Sequence, residues 1–356
     1  MAANITYHEQ TDMDNIRKLR EVLKTLPAFA KDYFRAIEPT TSTKTRISYA
    51  YDIRIFFQFL ISQNPSLAKI GIPNLNVSVL DQLKPIDIEE YMEYLKLYDS
   101  PNDQMTITNG ERGLKRKISS LRSFYTYYYK RQAIETNPVQ LVDMPKIHDK
   151  AIIRLDAGET AALLDYIEHC GDQLTGQRKA YYEKTKLRDL AIVTLLLGTG
   201  IRVSECVGLD VEDIDFRNNG IRLIRKGGSE MVVYFGPEVE KALKDYLEAR
   251  KAISPLEGHE HALFYSTQRK RIGVQAVENL VKKYARAITT TKKITPHKLR
   301  STYGTTLYQE TGDIYLVADV LGHKDVNTTK KHYAAMDDAR RRKAATAIRL
   351  REDYED

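Results

Sequence analysis

The chain has 356 residues, of which 42% are hydrophobic, and a formal net charge of +7 with a pI near 9.0. The length suffices for two domains and the apolar fraction for real cores, while the basic excess favours an acidic partner. Two cysteines without metal-type spacing indicate a reducing compartment. The N-terminus lacks the apolar segment of a signal peptide, and the most apolar run, residues 190–198, is too short to cross a bilayer. We therefore expect a cytoplasmic protein without a membrane partner.

The first half of the chain shows the apolar spacing of helices. Helices are predicted at residues 13–37, 43–62, 86–98 and 110–131, with a loop-like stretch at 62–77. The last helix is strongly basic, because the residues from Arg112 to Arg131 include seven Lys or Arg and no acid. Phosphate contacts dominate DNA affinity, so four of its residues are candidate DNA contacts: Lys115, Arg116, Lys117 and Arg122. A solvated basic face is the alternative.

The second half follows a linker predicted at residues 144–152, where Pro145 precedes a charged stretch. Polar residues 171–185 indicate a loop, and apolar runs at 221–225 and 230–235 predict a β-hairpin. Further helices are predicted at 156–169, 186–198, from residue 202, and at 238–252, 273–288, 296–310, 313–321, 326–335 and 338–351. We therefore predict a mainly α fold. Its parts are an N-terminal helical extension (1–39), a helical domain (40–145) and a mixed, mostly helical domain with a small antiparallel sheet (152–356).

Basic residues in the second half could surround one phosphodiester. Arg202 follows the flexible turn Gly198-Thr199-Gly200, and Glu205 lies one helical turn further on, where it can hold the arginine side chain. Arginine stays charged and binds two oxygens with one fork, which suits the charge that develops on an attacked phosphate. Taken alone, this spacing is more often that of an ordinary surface Arg–Glu pair.

A histidine and an arginine share one face of a later helix. Pro296 predicts a helix start, so His297 and Arg300 lie on the same side and could bind one phosphate or move a proton. Lys226, at the tip of the predicted hairpin, could reach into a groove or protonate a leaving-group oxygen. A capping histidine, a solvent-exposed arginine and a plain turn lysine are the alternatives.

Two further residues complete the candidate constellation. His323 follows an apolar helix, and Tyr333, at the end of TTKKHY, supplies an oxygen nucleophile. Neither residue is distinctive alone. His323 could be an ordinary histidine at a helix end, and Tyr333 is one of 23 tyrosines. No Cys/His/carboxylate cluster, Walker loop or Rossmann glycine pattern accompanies them, so we predict chemistry without a metal or other cofactor.

The order of these segments resembles the tyrosine recombinase (phage-integrase-like) family. LRDLAIVTLLLGTGIRVSECVGLDVEDID resembles its first arginine box, TPHKLRSTYGTTL its His-x-x-Arg box, and LGHKDVNTTKKHYA its His-plus-tyrosine box. The resemblance covers residues 150–340 strongly, while residues 40–145 fit the family's core-binding domain less specifically. The chain length and the polar insertion before Leu187 are most similar to the Xer recombinases, especially the longer XerS type.

This resemblance implies a site-specific DNA recombinase whose two domains clamp double-stranded DNA. Tyr333 would form a 3′-phosphotyrosyl bond, and Lys226 would protonate the leaving 5′-oxygen. The phosphate would be held by Arg202, His297, Arg300 and His323. The basic helix would face a major groove. The resemblance also implies a homotetramer on two inverted-repeat sites, a C-terminal helix that docks on a neighbouring subunit, chromosome dimer resolution at cell division, and a septal DNA translocase as a candidate partner.

Two positions depart from the family pattern. Ser301 stands where many relatives have a histidine, and the interval from His323 to Tyr333 is one residue longer than in many Xer proteins, with His332 at the shorter spacing. Three alternatives stay open: an integrase or excisionase of a phage or mobile element, a type IB topoisomerase, and a non-catalytic DNA-binding protein. Only the last needs no nucleophile, so a complete constellation argues against it.

Overall fold

The structure, a computed structural model, describes residues 6–99, 105–148, 152–225, 229–322 and 326. They fall into two compact units, one within Met1–Lys150 and the other within Ala151–Asp356. Both units consist mainly of α-helices, and the described part of each contains a small antiparallel sheet. The predicted mainly α fold is therefore confirmed.

The first unit packs its helices around an aromatic core. The ring centroid of Phe124 lies 5.2 Å from that of Tyr33 and 6.1 Å from that of Phe57, and all three rings are fully buried. Edge-to-face contacts of this kind add to the free energy gained by burying the rings. The helices are α1 (Tyr7–Lys24), α2 (Ala30–Ala36), α3 (Thr43–Gln63), α4 (Pro65–Ile70), α5 (Pro85–Tyr94), α6 (Glu111–Lys130) and α7 (Pro138–Leu141).

Residues 13–37 form two helices, whereas the sequence predicts one. Helix α1 begins earlier because Thr6 and Glu9 form a capping box. The Glu9 N–H donates to Thr6 Oγ1 at 3.3 Å, and the Thr6 N–H donates to Glu9 Oε2 at 2.8 Å. Pro27 lies between α1 and α2, where a continuous helix would lose a backbone hydrogen bond. Leu19 and Val22 of α1 belong to the same core as α3 and α6, so this segment packs into the first unit.

Two other parts of the first unit differ from the prediction. The loop-like stretch at 62–77 contains α4, which is capped by Asn64: its Oδ1 accepts the Ser66 N–H at 3.0 Å. The helix predicted to run to residue 98 ends at Tyr94, because the chain then enters strand β1. β1 (Leu97–Asp99) pairs antiparallel with β2 (Thr106–Thr108).

The second unit combines helices with a three-stranded antiparallel sheet in the order β3-β4-β5. The strands are β3 (Ile214–Asp215), β4 (Gly220–Ile224) and β5 (Glu230–Tyr234). Ile221 pairs with Val233, and both side chains are buried, so the sheet has one apolar face. The predicted hairpin is therefore confirmed. The helices are α8 (Ala157–His169), α9 (Gly176–Thr199), α10 (Val203–Gly208), α11 (Pro237–Arg250), α12 (Val274–Ile288), α13 (Pro296–Thr311) and α14 (Ile314–Leu321).

The loop predicted at 171–185 is wrong, because α9 already begins at Gly176. Its polar first half is held by Tyr182, which is 1% exposed. The Tyr182 hydroxyl lies 2.9 Å from the Ile167 carbonyl oxygen and 2.6 Å from that of Glu168, both at the end of α8. The burial and hydrogen bonds of this one tyrosine thus hold the segment as a helix despite its polar composition. The helices predicted at 326–335 and 338–351 lie outside the described residues, apart from residue 326.

Three properties of the described residues concern membranes, metals and thiols. None of the helices that the structure describes is long and apolar enough to cross a membrane. The same residues contain no group of three His, Cys, Asp or Glu side chains that could hold a metal ion. Cys170 and Cys206 are free and buried. Burial, with the Glu205 carboxylate nearby, raises the pKa of Cys206 to about 12, so this side chain stays a thiol at neutral pH.

Candidate active site

Arg202 lies where the buried helix α9 ends and α10 begins. Gly200 ends α9 with φ +63°, and a Cβ atom at this position would lie 2.3 Å from Cδ1 of Tyr303, so the turn requires glycine. The turn places Arg202 at the N-cap of α10. Glu205 Oε2 accepts the Arg202 N–H at 2.7 Å, and Glu205 Oε1 accepts Nη1–H at 2.7 Å. The carboxylate is nearly buried, whereas the Arg202 side chain is 40% exposed, so Arg202 is anchored and still accessible.

Arg300 ties three elements of the second unit together. It lies on α13, which begins at Pro296, and it is only 5% exposed. Its Nη1 donates to the Gly200 carbonyl at 2.6 Å, and its Nη2 donates to the Leu321 carbonyl at the end of α14. His297 lies one turn earlier on α13 and is exposed. The helix therefore presents an immobilised guanidinium and an accessible imidazole within one turn.

Arg225 is a third arginine at this place, and it was not among the predicted site residues. It directly follows β4, and its Nη2 donates to the Val320 carbonyl at 2.8 Å. Burial lowers the pKa of Arg225, while the Glu205 carboxylate acts in the opposite direction and Arg202 lowers it further. Arg225 therefore lies close enough to Arg202 and Glu205 for their charges to shift its pKa. The sequence signal was a second basic residue next to Lys226 at the hairpin.

Three consecutive carbonyls at the carboxyl end of α14 accept hydrogen bonds from these three arginines. Val320 O accepts from Arg225, Leu321 O from Arg300, and Gly322 O from Arg202 Nη2 at 3.2 Å. The last carbonyls of a helix have no partner within the helix and carry partial negative charge, so cationic donors are favoured there. A guanidinium is planar and carries its N–H donors in a fixed fork, so these contacts fix the direction in which each one points. Arg202 and Arg300 can therefore present converging positive charge to one phosphate.

The structure brings some of the predicted site residues together and leaves others outside its description. Arg202, Glu205 and Arg300 meet at the carboxyl end of α14. Lys226, His323 and Tyr333 lie outside the described residues. The residues directly before two of them do belong to the site, because Arg225 precedes Lys226 and Gly322 precedes His323.

The four candidate DNA contacts on α6 have different surroundings. Arg116 donates to both carboxylate oxygens of the buried Asp52 on α3, with Nη2–Oδ1 at 2.7 Å, and its side chain is 48% exposed. Lys117 is 7% exposed, against the prediction of a DNA-facing side chain. Its Nζ lies 3.0 Å from Asn109 Oδ1, and burial lowers its pKa.

Arg122 also has internal partners, since its Nη2 donates to the carbonyls of Val139 at 3.1 Å and Val142 at 3.0 Å. It thereby joins α6 to α7 and to the residue that follows α7. Lys115 is half-buried, and its carbonyl accepts from Ser119 Oγ at 2.7 Å within the helix. Some of the basic side chains of α6 therefore make internal contacts with other elements instead of forming one solvated face. DNA contact by these residues stays a prediction.

Comparisons with known proteins find relatives along most of the chain. The model of the phage integrase family matches residues 154–340. The tyrosine recombinase XerC of Caldanaerobacter subterraneus subsp. tengcongensis is 33% identical over 337 residues, which are 91% of this chain and 87% of that protein. The tyrosine recombinase XerS of Streptococcus equi subsp. zooepidemicus is 30% identical over 335 residues, which are 88% of this chain and 93% of that protein.

Solved structures of recombinases share the fold. The XerH site-specific recombinase bound to a palindromic difH substrate aligns with a TM-score of 0.63 at 19% identity, over 86% of this chain and 80% of that chain. The Tn1549 transposon integrase in complex with transposon right end DNA aligns with a TM-score of 0.62 at 21% identity, over 89% of this chain and 98% of that chain. At such identities these likenesses concern the fold alone.

Proposed function

The chain belongs to the phage integrase family of tyrosine recombinases, and we propose that its second unit holds one DNA phosphate between Arg202 and Arg300 for attack by Tyr333. It is a site-specific recombinase that cleaves and rejoins DNA. The observation that carries the assignment of the phosphate site is the convergence of both arginines on adjacent carbonyls, Leu321 and Gly322. Arginines fixed in this way are oriented before the substrate arrives, which is what stabilisation of a transition-state charge requires.

The proposed cleavage step is a transesterification. The Tyr333 phenol oxygen attacks the scissile phosphorus and forms a 3′-phosphotyrosyl bond, while the bond to the 5′-oxygen breaks. Lys226 gives a proton to that leaving oxygen, and the phenol proton passes to a histidine, for which His297 is the candidate among the described residues. The arginines offset the charge on the non-bridging oxygens. The freed 5′-hydroxyl of a partner strand then reverses the step, so that the number of phosphodiester bonds is conserved.

We further propose an Xer-type role, in which a homotetramer on two inverted-repeat sites resolves chromosome dimers, with a septal DNA translocase as a candidate partner. Support comes from the XerC and XerS relatives, which align over most of their own length. An integrase of a mobile element is the second candidate. Mapping the DNA that becomes covalently joined to the protein in the host cell separates them, because one chromosomal site supports the Xer role and the ends of an element support the integrase role.

Replacing Tyr333 by Phe tests the nucleophile. We expect Tyr333→Phe to bind DNA like the wild type and to form no covalent adduct on a nicked suicide substrate in EDTA, since the phenylalanine has no oxygen. Denaturing gels measure the adduct and native gels the binding. His332→Ala is the matched control, because His332 occupies the neighbouring position. An adduct in Tyr333→Phe would refute the assignment, and loss of the adduct only in His332→Ala would redirect it.

A further inference from the structure

We propose that Arg225 is a positioning residue for strand cleavage, which holds the hairpin that carries Lys226 against the turn that leads into His323. This inference rests on the proposed function, because it concerns the geometry of the general acid and of a phosphate ligand. Arg225 directly precedes Lys226 in sequence, and it would act through Lys226 and through the turn that leads into His323.

The first observation is that Arg225 joins two elements that are distant in sequence. Its backbone N–H donates to the Ser229 carbonyl at 2.9 Å, which continues the pairing of β4 and β5 toward the hairpin tip. Its side chain donates to the Val320 carbonyl at 2.8 Å, on the last turn of α14. One residue therefore fixes both the last pair of the hairpin before its tip and the distance of this pair from α14.

The second observation is that Gly322 makes room for the guanidinium. Gly322 has φ +59°, and a Cβ atom at this position would lie 1.2 Å from Arg225 Nη1 and 2.1 Å from its Cζ. The guanidinium therefore occupies the space that a side chain at position 322 would need, and any larger residue would push it away. The two residues in contact each directly precede a candidate catalytic residue. Gly322 precedes His323, and Arg225 precedes Lys226.

The third observation is that Arg225 binds the same end of α14 as the two phosphate-binding arginines. Arg300 and Arg202 bind the next two carbonyls, Leu321 and Gly322, so the phosphate-binding arginines and the hairpin share one reference point. A general acid must come within hydrogen-bond reach of the atom it protonates, and misplacement by about 1 Å can cost roughly 10²-fold in rate. A shared anchor sets this distance, whereas a hairpin held only by its strands would leave it loose.

The test compares two DNA substrates that differ in whether the leaving group needs a proton. One is an ordinary suicide substrate and the other has sulfur in place of the bridging 5′-oxygen, which leaves without protonation. Single-turnover adduct formation is measured for the wild type, Lys226→Ala, Arg225→Ala and Arg222→Ala. Arg222 is the matched control, because it lies on β4, the strand that Arg225 directly follows, and its charge is paired with Asp213 at 3.0 Å on the surface.

We expect Arg225→Ala to bind DNA normally, to lose about 10- to 100-fold in cleavage of the ordinary substrate, and to regain most of that loss on the sulfur substrate. Arg222→Ala should behave like the wild type on both. Thermal unfolding checks the fold, and Arg225→Met, which keeps the apolar stem, replaces Arg225→Ala if the latter unfolds at the assay temperature. Normal cleavage by the Arg225 variant, or a loss that sulfur does not restore although it restores Lys226→Ala, overturns the proposal. Failure of the wild type to form an adduct, or of sulfur to restore Lys226→Ala, counts against the proposed function instead.

A second pair of variants tests the contact with Gly322. Gly322→Ala should reduce cleavage like Arg225→Ala, because the added Cβ displaces the guanidinium. The double variant Arg225→Ala/Gly322→Ala should be no worse than Arg225→Ala alone. Gly258→Ala is the control for backbone strain, since Gly258 has φ +80° and no atom within 4 Å of the added Cβ. Losses that multiply in the double variant would show that the two residues act separately and would overturn the proposed contact.

Discussion

At the scale of single residues, the site uses main-chain carbonyls to orient arginines. A carbonyl accepts a hydrogen bond without carrying a net charge, so it fixes a guanidinium and leaves its positive charge available to a phosphate. A carboxylate partner such as Glu205 orients Arg202 equally well but offsets part of its charge. The end of α14 supplies the neutral kind of partner to Arg202, Arg225 and Arg300. This explains how three cations lie close together before any phosphate is present.

Replacing Gly200 by Ala tests the turn on which Arg202 depends. The left-handed conformation costs a residue with a Cβ about 1–2 kcal/mol. The clash with Tyr303, at 2.3 Å, should add to that cost. We expect a loss of unfolding free energy in urea that exceeds the control by about 1–3 kcal/mol, as overpacking does. The control is Gly176→Ala, where φ is +57° and no atom lies within 4 Å of the added Cβ. Equal losses in both variants would mean that Tyr303 moves away easily.

At the scale of elements, the sequence predicts local contacts better than distant ones. The pair Arg202 and Glu205 could be anticipated because residues three apart in a helix lie side by side. The hairpin could be anticipated because alternating apolar residues flank two glycines. The contact of Arg300 with Gly200 joins residues far apart in the chain, and no local pattern encodes it. Helix α9 was mistaken over its first half for the same reason, since the ties of Tyr182 to the end of α8 are tertiary.

The basic helix α6 offers a direct test of which lysine contacts DNA. Lys115 is half-buried, whereas Lys117 is buried with its amine beside Asn109, so of these two lysines we predict that Lys115 contacts a phosphate. We expect Lys115→Ala to lower the slope of log affinity against log salt by about 1, while Lys117→Ala leaves it unchanged. Fluorescence anisotropy with a labelled duplex at several salt concentrations measures both. An equal change in slope for the two variants would mean that α6 repacks on DNA.

At the scale of the whole molecule, each of the two compact units has charged side chains that are held by internal contacts. In the first unit, Asp52 binds Arg116 across α3 and α6, and Arg122 binds one carbonyl of α7 and the carbonyl that follows this helix. In the second, arginines gather at the end of α14. The 55 Lys and Arg residues therefore overstate the number of side chains that can move onto DNA phosphates, because some of them are held by internal contacts. Measured affinity should accordingly depend on fewer phosphate contacts than the composition suggests.

Truncation after Met336 tests whether the assembly depends on the tail, which lies outside the described residues. Its sequence has a narrow apolar stripe, including Ala344, Ile348 and Leu350, beside a basic run. A stripe this narrow cannot stabilise an isolated helix, so it needs a partner surface, and we predict that a neighbouring subunit provides it. The truncated protein should bind a half-site as the full chain does, but fill the two half-sites of a full site with less cooperativity and recombine less. Gel-shift titrations on both sites measure this, and undiminished cooperativity would place the stripe against its own subunit.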